Sequence, residues 1–236
     1  MATASLAVGD RLALEVQRWV GRLSAPLWVP LCVGIMRWGY RWRVEEVEQT
    51  RRMFQKLREE SASPLLVCAN HLTMLDSAVI ATALGSPWWF VTHFSSLPWN
   101  TPERANFAST WWMRTLVYLM KCVPVARGGD RRAVGATLSR LTHLVRRDEV
   151  VLVFPEGGRS RTGRIDTGAA TYGVGRIVKA VPECRVACIY LRGEHQETWT
   201  DRPVTGERFH ARLEVIQQAS RFSCQPLLPR ARPSGS

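Results

Sequence analysis

Two short apolar runs, residues 65–69 (Leu-Leu-Val-Cys-Ala) and 150–154 (Val-Val-Leu-Val-Phe), most limit what this chain can fold into. Each has the length and composition of a buried strand, and each stops at a polar loop. The first runs into Asn70-His71, the second into Pro155-Glu156-Gly157-Gly158-Arg159-Ser160-Arg161. Two strand ends that both carry chemically capable loops point to one crevice, as open α/β sheets form. Other strand-like runs alternate with helical segments. The expected fold class is therefore α/β, a mixed central sheet flanked by helices.

A second apolar segment, residues 75–84, has helical length and follows the first loop directly. His71 then leaves a strand end and Asp76 falls in the first turn of a helix, where the helix dipole favours a carboxylate. From there Asp76 can reach back to one imidazole nitrogen, fix the tautomer and leave the other nitrogen as a base. The plainer alternative is a loop histidine beside an ordinary helix-start acid.

These two segments resemble the glycerolipid acyltransferase family, whose best-known members acylate lysophosphatidic acid. The resemblance rests on Asn-His, four residues and Asp at 70–76, and on Phe-Pro-Glu-Gly-Gly-Arg-Ser at 154–160. A third block, Val123-Pro124-Val125-Ala126-Arg127, matches the arginine-bearing segment between them. The span from about Leu65 to Leu191 carries these blocks in the family's order. The resemblance implies that His71 and Asp76 are catalytic, transferring an acyl group from acyl-coenzyme A or acyl carrier protein to a lysophospholipid hydroxyl. It requires no cofactor, because a thioester is already activated. Arg127 and Arg159 become candidates for the acceptor phosphate, since guanidinium forks match phosphate oxygens bidentately. Asn70 and Glu156 would shape or orient the site, and Gly157 and Gly158 would let backbone N–H groups approach an anion. For each arginine the alternative is a solvated surface charge.

The chain departs from the family in two places. Gly158 stands where threonine is most usual, and residues 186–190 (Val-Ala-Cys-Ile-Tyr) lack the proline-bearing pattern of the fourth family block. The reaction class stands; the acceptor stays open, with other lysolipids, transacylation between phospholipids, and a non-catalytic lipid-binding protein as alternatives.

Charge narrows the partners. The formal net charge is +12 over 236 residues, which suits an anionic membrane, anionic substrates or nucleic acid. No zinc-finger spacing, basic zipper or aromatic ribonucleoprotein motif appears, so nucleic acid is not expected. Ten tryptophans suit the headgroup layer of a membrane, or else the core. Six cysteines include no Cys-x-x-Cys pair and sit mostly in apolar runs, as buried free thiols do. Cys184 and Cys188 have no histidine pair nearby, so no metal site is expected.

Along the chain, residues 1–44 read as a membrane-associating region, 45–225 as the catalytic domain and 226–236 as a disordered tail. Residues 11–20 fit an amphipathic helix. Residues 23–36 lack charge but number only 14 and include Pro26 and Pro30, short of the roughly 20 that a span needs. Arg37, Arg41, Arg43, Trp38 and Trp42 follow. The expectation is monotopic attachment at the cytoplasmic face; the alternative is an ordinary core helix. Residues 45–60 read as a charged helix, 88–92 as a strand, 95–110 as a loop, and 111–120 as a helix packed mainly as core. Residues 121–126 read as a strand delivering Arg127, with Asp130 capping a helix over 131–147. A helix over 168–180 and strands over 185–191 and 209–216 complete the reading.

Overall fold

The computed structural model describes residues 6–60, 63–103, 110–125, 130–160 and 172–216. Arg127, Cys224 and the expected tail over 226–236 lie outside the described residues. The strands are β1 (Arg43–Glu45), β2 (Leu65–Ala69), β3 (Val151–Val153), β4 (Arg185–Gly193) and β5 (Arg208–Ile216). They form one mixed sheet in the order β1-β5-β4-β2-β3. β2 runs parallel to both of its neighbours, β3 and β4, while β4 and β5 pair antiparallel from Val186↔Ile216 to Gly193↔Phe209. The helices are α1 (Val8–Gly34), α2 (Val47–Glu59), α3 (Asp76–Leu84), α4 (Pro87–Thr92), α5 (Trp111–Leu119), α6 (Arg131–Arg146) and α7 (Gly173–Ala180).

All five residues of β2 are buried. Alternate side chains leave a strand on opposite faces, so Leu65, Val67 and Ala69 join one core and Leu66 and Cys68 the other. The first core takes in Phe54 of α2, Val79 and Ile80 of α3, Phe90 of α4 and Val29 of α1. The second takes in Leu141 and Leu144 of α6 and Ile177 of α7. Each large aliphatic side chain buried this way contributes about 1.5–3 kcal/mol. β2 is thereby fixed on both faces and both edges.

Three expectations are corrected. Residues 88–92 form part of helix α4, not a strand: Pro87 takes the first helical position, and the Ser86 hydroxyl accepts from the Trp89 N–H at 3.2 Å. The cap outweighs the strand preference of Trp-Trp-Phe-Val-Thr. Helix α5 forms where expected but buries no residue, and Trp111 and Trp112 are 80% and 52% exposed. Described residues of 121–126 make only isolated bridges, Asn100↔Cys122 and Glu103↔Val125. Pro124 has no N–H to continue a ladder. Strand β1, at the sheet edge beside β5, was not foreseen: Arg43 falls in the region read as membrane-associating and Glu45 at the start of the charged helix.

Helix α1 continues through Pro26 and Pro30 and ends in a π-helical turn, Ile35–Gly39. Together these form a 32-residue helix, long and apolar enough to cross a membrane by length and composition. The 14-residue charge-free count thus underestimates the helical element. Leu14, Gln17, Gly21, Ala25 and Val29 form its buried stripe. A Cβ at Gly21 would lie 3.1 Å from the Leu119 carbonyl oxygen, so glycine permits the close crossing over α5. Gln17 Nε2 donates to the carbonyls of Tyr118 and Cys122, both at 3.0 Å.

Cys32, Cys68, Cys122, Cys184 and Cys188 are free thiols, and burial pushes Cys122 up to about 12. Lys121 is fully buried; its Nζ donates to Glu149 Oε2 at 2.6 Å and to the Phe94 carbonyl at 2.9 Å. Trp99 Nε1 donates to the same carboxylate oxygen at 2.8 Å. Burial lowers Lys121 to about 8, although the Glu149 carboxylate opposes the shift. Unfolded lysine keeps its proton up to about pH 10.4. Between these values the unfolded chain binds more protons, so this group makes stability rise with pH. Urea unfolding at pH 7.5 and 9.5 should show a wild-type gain that Lys121→Met lacks; equal gains in both would remove Lys121 as the source.

Candidate active site

The loop after β2 folds around one carboxylate. Asp76 opens α3, and its side chain turns back over residues 71–73. Asp76 Oδ2 accepts the Leu72 N–H at 2.5 Å and the Thr73 N–H at 2.8 Å, and lies 3.0 Å from His71 Nδ1. Oδ1 accepts the Thr73 hydroxyl at 2.6 Å. The carboxylate is 2% exposed, and these donors, with the helix N-terminus behind it, compensate its burial. With a carboxylate at Nδ1, the imidazole carries its proton there and presents Nε2 as an acceptor. No described residue hydrogen-bonds Nε2. The ring also stacks on Phe154, with centroids 4.1 Å apart and planes 20° from parallel. His71 is thus held by a carboxylate at one edge and an aromatic face from the neighbouring strand end.

The second loop comes from β3, beside β2. The Ser160 N–H donates to the His71 carbonyl at 2.8 Å, stitching the two loops together. Gly157 N–H closes a turn onto the Phe154 carbonyl at 3.0 Å and sits at φ 67°, in the left-handed region that glycine favours. A Cβ at Gly158 would meet nothing within 4 Å among the described residues. Glu156 is half-buried beside them. Asn70 donates through Nδ2 to the Leu191 carbonyl at 2.9 Å and accepts the Leu191 N–H at 2.8 Å through Oδ1. Its amide acts as one more rung of the ladder and holds the end of β2 against β4.

The structure therefore brings together His71, Asp76, Asn70, Glu156, Gly157, Gly158 and Arg159; Arg127 lies outside the described residues. Arg159 Nη1 donates to Asp201 Oδ1 at 2.5 Å and to the Thr200 carbonyl at 3.2 Å, and its guanidinium lies 4.6 Å from the Trp199 ring centroid. An apolar cavity of about 370 Å³ adjoins Phe154 and Gly157, walled by Val134, Leu138 and Leu141 of α6 and Ile177 of α7. Sequence reasoning passed over Thr73, Phe154 as the ring's stacking partner, and the 199–201 segment. Only Thr73 left a local trace, as a hydroxyl three residues before the acid.

Removing the Thr73 hydroxyl should loosen Asp76 without emptying the core. Thr73→Val is expected to lower turnover about tenfold, the scale of one hydrogen bond to a charged group, and Thr73→Ser to keep most of it. Steady-state rates of both variants check this; a Val variant as active as wild type removes the hydroxyl from the site.

The loops described so far fall inside a longer match. The family profile for acyltransferases fits residues 41–192, well over half of the chain. Comparison with curated proteins gave no match. The matched span runs from just before β1 nearly to the end of β4 and includes the His71–Asp76 loop, the Glu156 loop and the strands that carry them, and on that ground the chain belongs to the acyltransferase family.

Proposed function

We propose that the protein transfers a fatty acyl group from an acyl thioester, acyl-coenzyme A or acyl carrier protein, to the free hydroxyl of a lysophospholipid. The foremost acceptor is 1-acyl-sn-glycerol-3-phosphate, and the product is phosphatidic acid. The carrying observation is the His71–Asp76 pair, with Nδ1 held at 3.0 Å and Nε2 hydrogen-bonded to none of the described residues. In this reading Nε2 takes the acceptor hydroxyl proton as that oxygen attacks the thioester carbonyl. Asp76 stabilises the imidazolium that forms. The tetrahedral intermediate collapses, the C–S bond breaks, and the thiolate takes the proton back from His71. The products are an ester and a free thiol, with no cofactor or metal in any step.

Acceptor binding falls to Glu156, Gly157, Gly158 and Arg159 of the second loop and to Arg127 of the 123–127 block, with Asn70 keeping the strand end in place. The cavity beside Phe154 supplies apolar walls within reach of the dyad, suited to a fatty acyl chain.

Attachment is proposed to be monotopic, at the cytoplasmic face. Leu12, Val16, Leu23, Leu27 and Leu31 form an exposed stripe along α1, opposite the buried one, and Trp38 in the π-helical turn is exposed beyond it. Trp111 and Trp112 of the adjoining α5 add exposed indoles. Because the other side of α1 packs against the body, the helix lies along a membrane more readily than through it. The excess of arginine suits an anionic surface.

Radiolabelled acyl transfer to lysophosphatidic acid, from each thioester donor, tests the reaction. Wild type should make labelled phosphatidic acid, and His71→Ala should lose about 10²–10⁴-fold in rate. A fully active His71→Ala would end the assignment. For attachment, Leu23→Gln/Leu27→Gln/Leu31→Gln should release the protein from sedimenting phosphatidylglycerol vesicles. Retention equal to wild type would move the contact elsewhere.

A further inference from the structure

Taking a phosphorylated lysolipid as the acceptor, as proposed above, we infer that Asp201 and Trp199 are positioning residues that hold Arg159 ready for the acceptor phosphate. The segment 199–201 lies beyond the residues that the family profile matches, yet it is built into the site. The Thr200 N–H donates to the Leu72 carbonyl, and the Met74 N–H donates to the Asp201 carbonyl, both at 3.2 Å. These bonds lay the segment along the catalytic loop, while the Ser160 N–H at the His71 carbonyl brings the Glu156 loop to the same place. Arg159 sits where the three segments meet.

Among the described residues, Arg159 makes its hydrogen bonds through Nη1, to Asp201 Oδ1 and the Thr200 carbonyl. Trp199 covers one face of the guanidinium. The edge formed by Nε and Nη2 has no partner among the described residues, and that edge is a fork able to take two phosphate oxygens. A free arginine loses rotamer entropy when a ligand immobilises it. Held beforehand by an anion and an indole, Arg159 has already met much of that cost. The Asp201 side chain is 74% exposed, so the pair adds little to folding stability. Its effect falls on acceptor binding instead.

The test is a double-mutant cycle on kinetic constants for lysophosphatidic acid: wild type, Asp201→Ala, Arg159→Ala and the double variant, with Asp201→Glu and Trp199→Ala beside them. Asp201→Ala is expected to raise KM about tenfold, the scale of a charge-assisted hydrogen bond, with a much smaller change in kcat. Asp201→Glu should recover part of the loss, and Trp199→Ala should shift KM in the same direction. In the Arg159→Ala background, Asp201→Ala should add nothing, because it acts through that arginine. The main-chain bonds to Leu72 and Met74 survive all these substitutions, so a merely structural role for the segment would not give this pattern. An unchanged KM in Asp201→Ala, or an equal rise with Arg159 already removed, overturns the inference and leaves the proposed reaction intact. A wild type that acylates only lysolipids lacking the phosphate overturns the acceptor assignment and this inference together.

Discussion

The active-site loop depends on one buried anion. Asp76 gathers two backbone N–H groups, a hydroxyl and the imidazole onto a carboxylate almost closed to water. A buried carboxylate without such donors would be costly enough to take up a proton or unfold the loop. With them, the carboxylate sets the direction of residues 71–73, and His71 has no freedom to turn its Nε2 away. The anion shapes the loop and orients the imidazole through the same contacts. The shape of the loop is what lets the carboxylate stay buried, and the carboxylate is what gives the loop its shape.

That loop would be of little use on a mobile support. β2, the strand that carries it, is covered on both faces and paired on both edges, and Asn70 adds a side-chain rung to β4 at the point where the ladder would otherwise end. Phe154 sits at the end of the adjacent β3 and braces the imidazole from the side. Preorganisation of this kind matters because small errors in the placement of a base cost rate steeply. The Glu156 loop enters from β3, and its Ser160 N–H reaches the His71 carbonyl, so the two loops keep a fixed relation.

Much of this was legible in the residues. The runs at 65–69 and 150–154 announced strands β2 and β3, and the interval from His71 to Asp76 announced the contact between carboxylate and imidazole, because local spacing encodes both. Asp130 was readable as a helix cap, and its carboxylate accepts the Arg132 N–H. The misreadings arose where a neighbour outweighs propensity. Ser86 and Pro87 start a helix in residues that prefer strands, and α5 carries tryptophans that seek an apolar medium but leaves Trp111 and Trp112 exposed. Contacts that span the chain left no local trace. Glu149 joined to Lys121, and Asp201 joined to Arg159, are each separated by tens of residues, and only the fold brings them together.

The two-sided character of α1 carries a kinetic consequence. Its buried stripe is spent on the body, and its apolar stripe faces outward along the same axis. A protein resting on a bilayer by that outer stripe would meet lysolipid by diffusion in two dimensions. Its rate would then follow the mole fraction of acceptor in the surface, not the bulk concentration. Adding inert lipid at constant total acceptor would slow such an enzyme by dilution within the plane.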